Sequence, residues 1–391
     1  MTAAHSRSLT ITALGITQIL AWGSSFYLPA VLAKPIAAET GWPLAWVVGG
    51  LSVGLLTSGL VSTLTGNAIQ RWGGRPILVA GALFLALGQA TMAAAPHLGV
   101  FLFAWVLMGL GMSGGLYDAG FGTLGRLYGN EARSAITALT LWGGFASTLC
   151  WPLSALLVEN YGWRVTCLVY AGIQIVVSLP CFLLFVPNPA RPAATQQAPR
   201  RTATIGRSYR PAFVLLAAIT TLAAMIASML SVHLLTVLQL RGIDLAAAVG
   251  LGALIGPSQV GARLVEMLFG RHHHPIWVMI ASVLLLALGI GLLLSNLPIT
   301  AMALVLYGAG NGVHTIARGA LPLVLFDPQR YAAVMGRLAP PSLVVQATAP
   351  ALGAVLLDHG GSAAMLSTLF AAAVLNLFLT WGLWLVSRRP A

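Results

Sequence analysis

A carboxylate and a guanidinium stand inside apolar runs of a chain that has few of either. Asp118 lies in Gly114-Gly115-Leu116-Tyr117-Asp118-Ala119-Gly120, and Arg318 closes Asn311-Gly312-Val313-His314-Thr315-Ile316-Ala317-Arg318. At the centre of a membrane each charge costs at least ~2.5 kcal/mol unless it faces protein or water. The chemistry open to such groups is proton exchange and the holding of anions. A carboxyl that loses a cationic neighbour takes up a proton more readily. Histidine ordinarily changes charge near physiological pH, so His233 and His314 are candidates for the same path. Arg263 and Arg318 are the guanidinium groups able to grip a carboxylate in a fork. Near mid-depth of the apolar runs, Gln18, Trp22, Tyr27, Tyr117, Gln259, Asn311 and Gln346 are candidates for contact with a small molecule. Each has a structural reading beside the functional one: a helix-end charge, a packing histidine, an interfacial ring.

Other chemistries lack their parts. His272-His273-His274 has no acidic or cysteine partner nearby, and Cys150, Cys167 and Cys181 sit inside apolar runs without ligand spacing, as buried thiols would. There is no metal cluster, no pair of carboxylates and no nucleophile with a base at readable spacing. No Gly-rich phosphate loop with Lys and Ser or Thr occurs. The expectation is a protein that is not an enzyme, with no catalytic residues, no metal and no cofactor.

The elements that carry these residues follow from composition. Only 7% of the 391 residues are charged and 58% are apolar, where a soluble chain is roughly 25% charged. Apolar runs of about 20 residues recur throughout, each long enough to cross a hydrocarbon core ~30 Å thick. They predict twelve helices: 9 to 33, 45 to 69, 76 to 95, 99 to 125, 133 to 158, 164 to 187, 211 to 238, 245 to 267, 275 to 296, 298 to 322, 333 to 357 and 363 to 387. Arg7 followed by a long apolar run reads as a retained first helix rather than a cleaved leader. Residues 188–210, with Arg191, Arg200, Arg201, Arg207 and Arg210 among Ala, Pro, Thr and Gln, read as a solvated linker. The predicted organisation is therefore a six-helix bundle over 1–187, a cytoplasmic linker over 188–210 and a second bundle over 211–391.

The net charge of +12 is topological. Every Lys and Arg except Lys34, Arg164 and Arg241 falls on the side shared by the termini and the linker, which puts that side in the cytoplasm. Nucleic acid is excluded as a partner, since the charge is spread over short loops. The expected partners are the lipid bilayer, protons and a small-molecule substrate, with a monomer in the cytoplasmic (inner) membrane.

The halves repeat at an offset of about 200 residues. Gly41, Leu44, Ala45, Val48 and Gly49 fall on Gly242, Leu245, Ala246, Val249 and Gly250, and Gly109, Gly111 and Gly120 on Gly308, Gly310 and Gly319. Between the second and third helices stands Gly66-Asn67-Ala68-Ile69-Gln70-Arg71-Trp72-Gly73-Gly74-Arg75-Pro76. This loop resembles the signature loop of the major facilitator superfamily, bacterial type. Gly66, Arg71, Gly73 and Arg75 match the family's pattern, whereas Gln70 replaces its acid. Gly162-Trp163-Arg164 also looks like the family.

The resemblance covers the whole chain in helix count and layout. It implies an all-α integral membrane fold of two pseudo-twofold related six-helix bundles, and a secondary active transporter working by alternating access as a symporter or antiporter. It further implies that the first, fourth, seventh and tenth helices line a central cavity. Asp118 and Arg318 would then form a gate on the cytoplasmic side, pairing in one state and parting in the other; a permanent structural pair is the competing reading. Arg71 and Arg75 would hold the cytoplasmic ends of neighbouring helices. Drug exporters of the family carry an Arg in the fourth helix where Trp105 stands here, and their fifth-helix signature is not matched by Gly143 to Pro152. A proton-coupled carrier of a small organic anion such as a monocarboxylate is the first expectation. Export of drugs or metabolites stays open, and a transporter-like receptor or membrane-embedded enzyme is the different class.

Overall fold

The structure is a computed structural model that describes residues 7–187, 210–270, 273–295 and 297–388. The linker expectation and His272 fall outside the described residues, Arg210 excepted. All regular structure among the described residues is helical. In order come α1 (Arg7–Gly23), α2 (Leu28–Thr40), α3 (Leu44–Trp72), α4 (Gly74–Ala93), α5 (Leu98–Gly115), α6 (Tyr117–Tyr128), α7 (Ala132–Gly144) and α8 (Ala146–Ile173). A π-helical turn, Gln174–Ser178, leads into α9 (Leu179–Phe185). After the linker come α10 (Arg210–Leu240), α11 (Leu245–Gly252), α12 (Ile255–Phe269), α13 (Pro275–Leu294), α14 (Thr300–Leu325) and α15 (Tyr331–Ser387).

Among the described residues, nine stretches are long and apolar enough to cross a membrane. Two of them, of 54 and 57 residues, contain Gly162 and Gly361 with φ of 77° and 62°. That backbone conformation suits glycine alone and breaks each stretch into two crossings. With the 26 residues of α14 the described residues make twelve crossings, the all-helical membrane architecture expected from the apolar runs. The outer surface is apolar: Leu60, Leu64, Val176 and Phe378 are among the most exposed side chains. Such a surface needs lipid as its solvent.

Several crossings are discontinuous, which apolar periodicity does not reveal. The first span breaks between α1 and α2 at Ser24 to Tyr27, the fourth at Leu116, and the eighth at Ala253 and Leu254. Small residues flank these points, and the freed backbone groups find side-chain partners. Gln89 Nε2 donates to the Ser24 carbonyl at 2.8 Å and Gln174 Nε2 to Ser24 Oγ at 3.0 Å, all three residues fully buried or nearly so.

The chain divides into two compact units. Unit 1 is Met1–Thr204 with Phe326–Pro340, and unit 2 is Ile205–Leu325 with Pro341–Ala391. The same packing recurs within each. In unit 1, a Cβ on Gly88 would meet Met108 N and the Ala104 carbonyl, and one on Gly111 would meet Leu85 N and the Gly81 carbonyl. In unit 2, Gly289 stands in the same way against Tyr307 N and the Ala303 carbonyl, and Gly310 against Leu286 N and the Ser282 carbonyl. Glycine at these crossings lets helix backbones touch, the usual device of membrane bundles.

Unit 1 includes the first turns of α15. Gly66 of α3 crosses Gly336 of α15, with a Cβ on Gly66 falling 2.5 Å from the Ala332 carbonyl and 2.8 Å from Gly336 Cα. Thr63 Oγ1 donates to the Gly336 carbonyl at 3.1 Å. The Tyr331 ring fills the space left by Gly125 of α6.

Arg164 and Arg241 have structural uses. Arg164 donates to the carbonyls of Ala93 and Ala95 at 2.6 and 3.2 Å, pairs with Glu39 at 3.1 Å and stacks over Trp163. Arg241 donates to the Leu293 carbonyl at the end of α13. Each half thus closes its third span with a guanidinium, where a helix C-terminus favours positive charge.

Candidate functional site

The break in the fourth span creates the most structured candidate in unit 1. Leu116 is extended (φ −88°, ψ −169°), so α6 starts afresh at Tyr117 and Asp118 lies in its first turn. Gln18 of α1, fully buried, donates through Nε2 to the Gly115 carbonyl at 2.6 Å, the last residue before the break. Its Oε1 accepts from Trp22 Nε1 at 3.1 Å. The Trp22 ring packs on Tyr117 at 5.0 Å and on Tyr27 at 6.1 Å, and Tyr117 stacks on Phe121 at 5.2 Å. Gly143 leaves the room that the Tyr117 hydroxyl occupies. Gln18, Trp22, Tyr27 and Tyr117 are therefore brought together, one residue from Asp118, which is half-buried.

Unit 2 assembles a second group. On α12 only Arg263 and Glu266 are buried, 5% and 6% exposed. Arg263 Nε donates to the Gly312 carbonyl of α14 at 3.2 Å, and Gln259 packs directly on Gly312. Gly270 leaves space for the Glu266 carboxyl, which a Cβ there would contact at 2.9 Å. Asn311, beside Gly312, is half-buried, as is Arg318 two turns further along α14. His314 points elsewhere: it is 6% exposed, with Nδ1 3.5 Å from Ser282 Oγ of α13. His233 is separate again, its Nε2 2.8 Å from the Pro350 carbonyl and its ring filling the space at Gly353. Gln346, half-buried, offers its backbone carbonyl to Ser228 Oγ at 2.7 Å.

The signature loop is held by more than its own basic residues. Gln70 Nε2 donates to the Gln329 carbonyl. Arg71 is exposed, 5.6 Å over the Trp72 ring, and Arg75 is half-buried in the first turn of α4. Gly73 takes φ of 93° to end α3 and begin α4. The cation that reaches the carbonyls at the end of α3 is Arg126, from α6, at 2.7 Å from Ile69 O and also bonded to Gln70 O.

Sequence reasoning missed Glu266, the Gln89–Ser24–Gln174 network and the role of Arg126. Glu266 is three residues from Arg263 on the same helix face, a spacing that could have drawn attention to it. Cys150 and Cys167 are buried thiols and Cys181 is half-buried. His274 caps α13, its Nδ1 accepting from Ile276 N at 3.2 Å. No group of three or more His, Cys, Asp or Glu able to hold a metal occurs among the described residues.

The model of the Major Facilitator Superfamily matches residues 14–273. The chain belongs to the major facilitator superfamily. It is accordingly a multi-pass membrane protein. Among curated relatives, Monocarboxylate transporter 11 of Homo sapiens is 29% identical over 208 residues, covering 51% of this chain and 43% of that one. Its Mus musculus counterpart is 27% identical over 230 residues, covering 49% and 50%. The chain spans about half the length of the curated relatives it matches. Among solved structures, the human organic anion transporter MFSD10 (TETRAN) superposes with a TM-score of 0.75 at 18% identity, over 97% of this chain and 100% of that one. A double-tryptophan mutant of XylE gives 0.77 at 11% identity, over 98% and 96%. At such identities the likeness shows the superfamily fold.

Proposed function

We propose that this superfamily member is a proton-coupled secondary transporter that moves a small organic anion, a monocarboxylate by class, across the cytoplasmic membrane by alternating access. The observation that carries this reading is Arg263. An apolar span that buries a guanidinium bears a cost of at least ~2.5 kcal/mol, and α12 buries it while leaving its apolar side chains outside. With Nε engaged on the Gly312 carbonyl, the plane of the group is set. A guanidinium so oriented matches a carboxylate in two parallel hydrogen bonds, which an ammonium group cannot do. The matched relatives named as monocarboxylate transporters point to the same chemistry.

Asp118 is the proton-exchanging group in this reading, a carboxyl set in the first turn of α6 within an apolar span. A proton carried with a monocarboxylate anion moves no net charge, so the pH difference alone drives accumulation, at ~1.4 kcal/mol or roughly tenfold per pH unit. The working halves are 1–187 and 211–391, joined by 188–210 with both termini in the cytoplasm.

Uptake of labelled lactate and benzoate into proteoliposomes with an imposed pH gradient tests the proposal. Accumulation that collapses with a protonophore and is lost in Arg263→Gln and Arg263→Lys is expected. Transport of lipophilic cations with no carboxylate uptake, or carboxylate uptake untouched by Arg263→Gln, would overturn it.

A further inference from the structure

Unit 2 contains three tryptophans, Trp277, Trp381 and Trp384, and all three meet at one corner. Trp277 lies in the first turn of α13 and Trp384 in the last turn of α15. The two helices also touch deeper in the unit, where the Phe370 ring fills the space beside Gly291. Trp384 is the centre of the cluster: the Trp381 ring lies 4.5 Å from it and the Trp277 ring 6.0 Å from it. One helical turn further on, Arg388 folds back so that its guanidinium carbon stands 3.7 Å from the centroid of the Trp384 ring, a cation–π contact.

An ordinary aromatic girdle would mark both membrane interfaces. Unit 2 departs from that pattern, because its turns at the other end, 241–244, 295–299 and 358–361, contain neither Trp nor Tyr. Charge is one-sided at the corner as well. Arg389 follows Arg388 in the sequence and Arg271 shortly precedes α13, while neither 267–326 nor 359–391 contains an Asp or Glu. Arg388 is exposed, and among the described residues no carboxylate or carbonyl engages its guanidinium. Stacking on an indole fixes the plane of that group and leaves its N–H edge for two oxygens of a phosphate. From the cluster, each helix continues as an exposed apolar stripe toward the middle of the membrane: Trp277, Leu284 and Leu288 on α13, and Trp381, Phe378 and Leu375 on α15.

We propose that this corner of unit 2 is a binding site for an anionic phospholipid. The Arg388 guanidinium, held by the Trp384 ring, takes the phosphate; Trp277 and Trp381 flank the glycerol and ester region, where indoles are at home; the acyl chains lie along the stripes of α13 and α15. The occupant is a lipid rather than free phosphate, because the oriented cation stands at the head of two exposed apolar stripes. It is an anionic lipid rather than a zwitterionic one, because no acidic side chain on either helix is there to answer a headgroup ammonium. The assignment is independent of the transported substrate.

Native mass spectrometry of the purified full chain, titrated in detergent with dioleoyl phosphatidylglycerol or dioleoyl phosphatidylcholine, tests this. The parent should hold phosphatidylglycerol at least roughly fivefold more tightly, as one cation near an anionic lipid provides. Arg388→Gln should remove most of that preference. Trp384→Leu, which keeps the cation and deletes its platform, should weaken phosphatidylglycerol binding roughly two- to fivefold. Arg330→Gln, an equal loss of charge elsewhere in the chain, should leave the preference intact. Arg388 and Arg330 are both exposed, so neither replacement disturbs the core. Equal retention of the two lipids by the parent, or a preference unchanged in both Arg388→Gln and Trp384→Leu, would overturn the proposal. A preference lost equally in Arg330→Gln would reduce it to overall charge and refute the site. Release of bound phosphatidylglycerol by inorganic phosphate would refute the lipid assignment in favour of a free anion.

Discussion

Replacing Gln18 with Leu should weaken unit 1 measurably, because one amide serves both sides of a helix break. The substitution keeps the packing volume close to native and removes two hydrogen bonds, Nε2 to the Gly115 carbonyl at 2.6 Å and Trp22 Nε1 to Oε1 at 3.1 Å. Interhelical hydrogen bonds in membranes are worth ~0.6 kcal/mol on average and up to ~1.7. A buried carbonyl left without a partner costs about 1–3 kcal/mol. The half-buried Trp22 loses less than the Gly115 carbonyl, so the total is about 1.5–3 kcal/mol. At about 2–4 °C per kcal/mol for a unit of this size, the Tm should fall by roughly 3–12 °C. Scanning fluorimetry of the detergent-purified protein reads this, with Gln18→Met as a second bond-free variant of similar length. Hydrogen exchange should accelerate at the amides of Leu116 to Gly120, which follow the break. A Tm within 1 °C of the parent in both variants, with unchanged exchange there, would refute the view that Gln18 holds the turn bearing Asp118.

Other perturbations have equally definite outcomes. Asp118→Asn should abolish accumulation driven by a proton gradient while sparing substrate exchange in proteoliposomes. Gly66→Val places a Cβ 2.5 Å from the Ala332 carbonyl, so the start of α15 must retreat by about 1 Å. Overpacking of that kind costs about 1–3 kcal/mol, and uptake should fall roughly 5- to 150-fold. Gly270→Ala should crowd the Glu266 carboxyl and lower the Tm by a few degrees, whereas Gly256→Ala, which meets no atom within 4 Å, should leave it unchanged.

The crossings were legible because lipid leaves a chain little choice: each needs a long apolar run, and twelve such runs can be counted. The repeat was legible too, because glycines at backbone crossings tolerate no side chain, and Gly109, Gly111, Gly308 and Gly310 mark the same contacts in each unit. The breaks at Ser24, Leu116 and Leu254 were not, since a broken span and a straight one share the same apolar pattern. Gln18 looked like a substrate contact by depth alone, yet both ends of its amide are engaged by protein. Arg126 carried no signal of its own in the sequence, and only the fold brings it to the end of α3. Side-chain partners between distant segments depend on which helices touch, which composition and spacing do not encode.

Pro340 explains why Thr63 finds a bond on α15. A proline at this position cannot donate to the residue four places earlier, so the carbonyl of Gly336 is left vacant within its own helix. The hydroxyl of Thr63 occupies that vacancy from outside. A missing amide in one helix thus becomes an address for another, and Thr63→Val should be partly rescued by Pro340→Ala, which returns the carbonyl to its own chain.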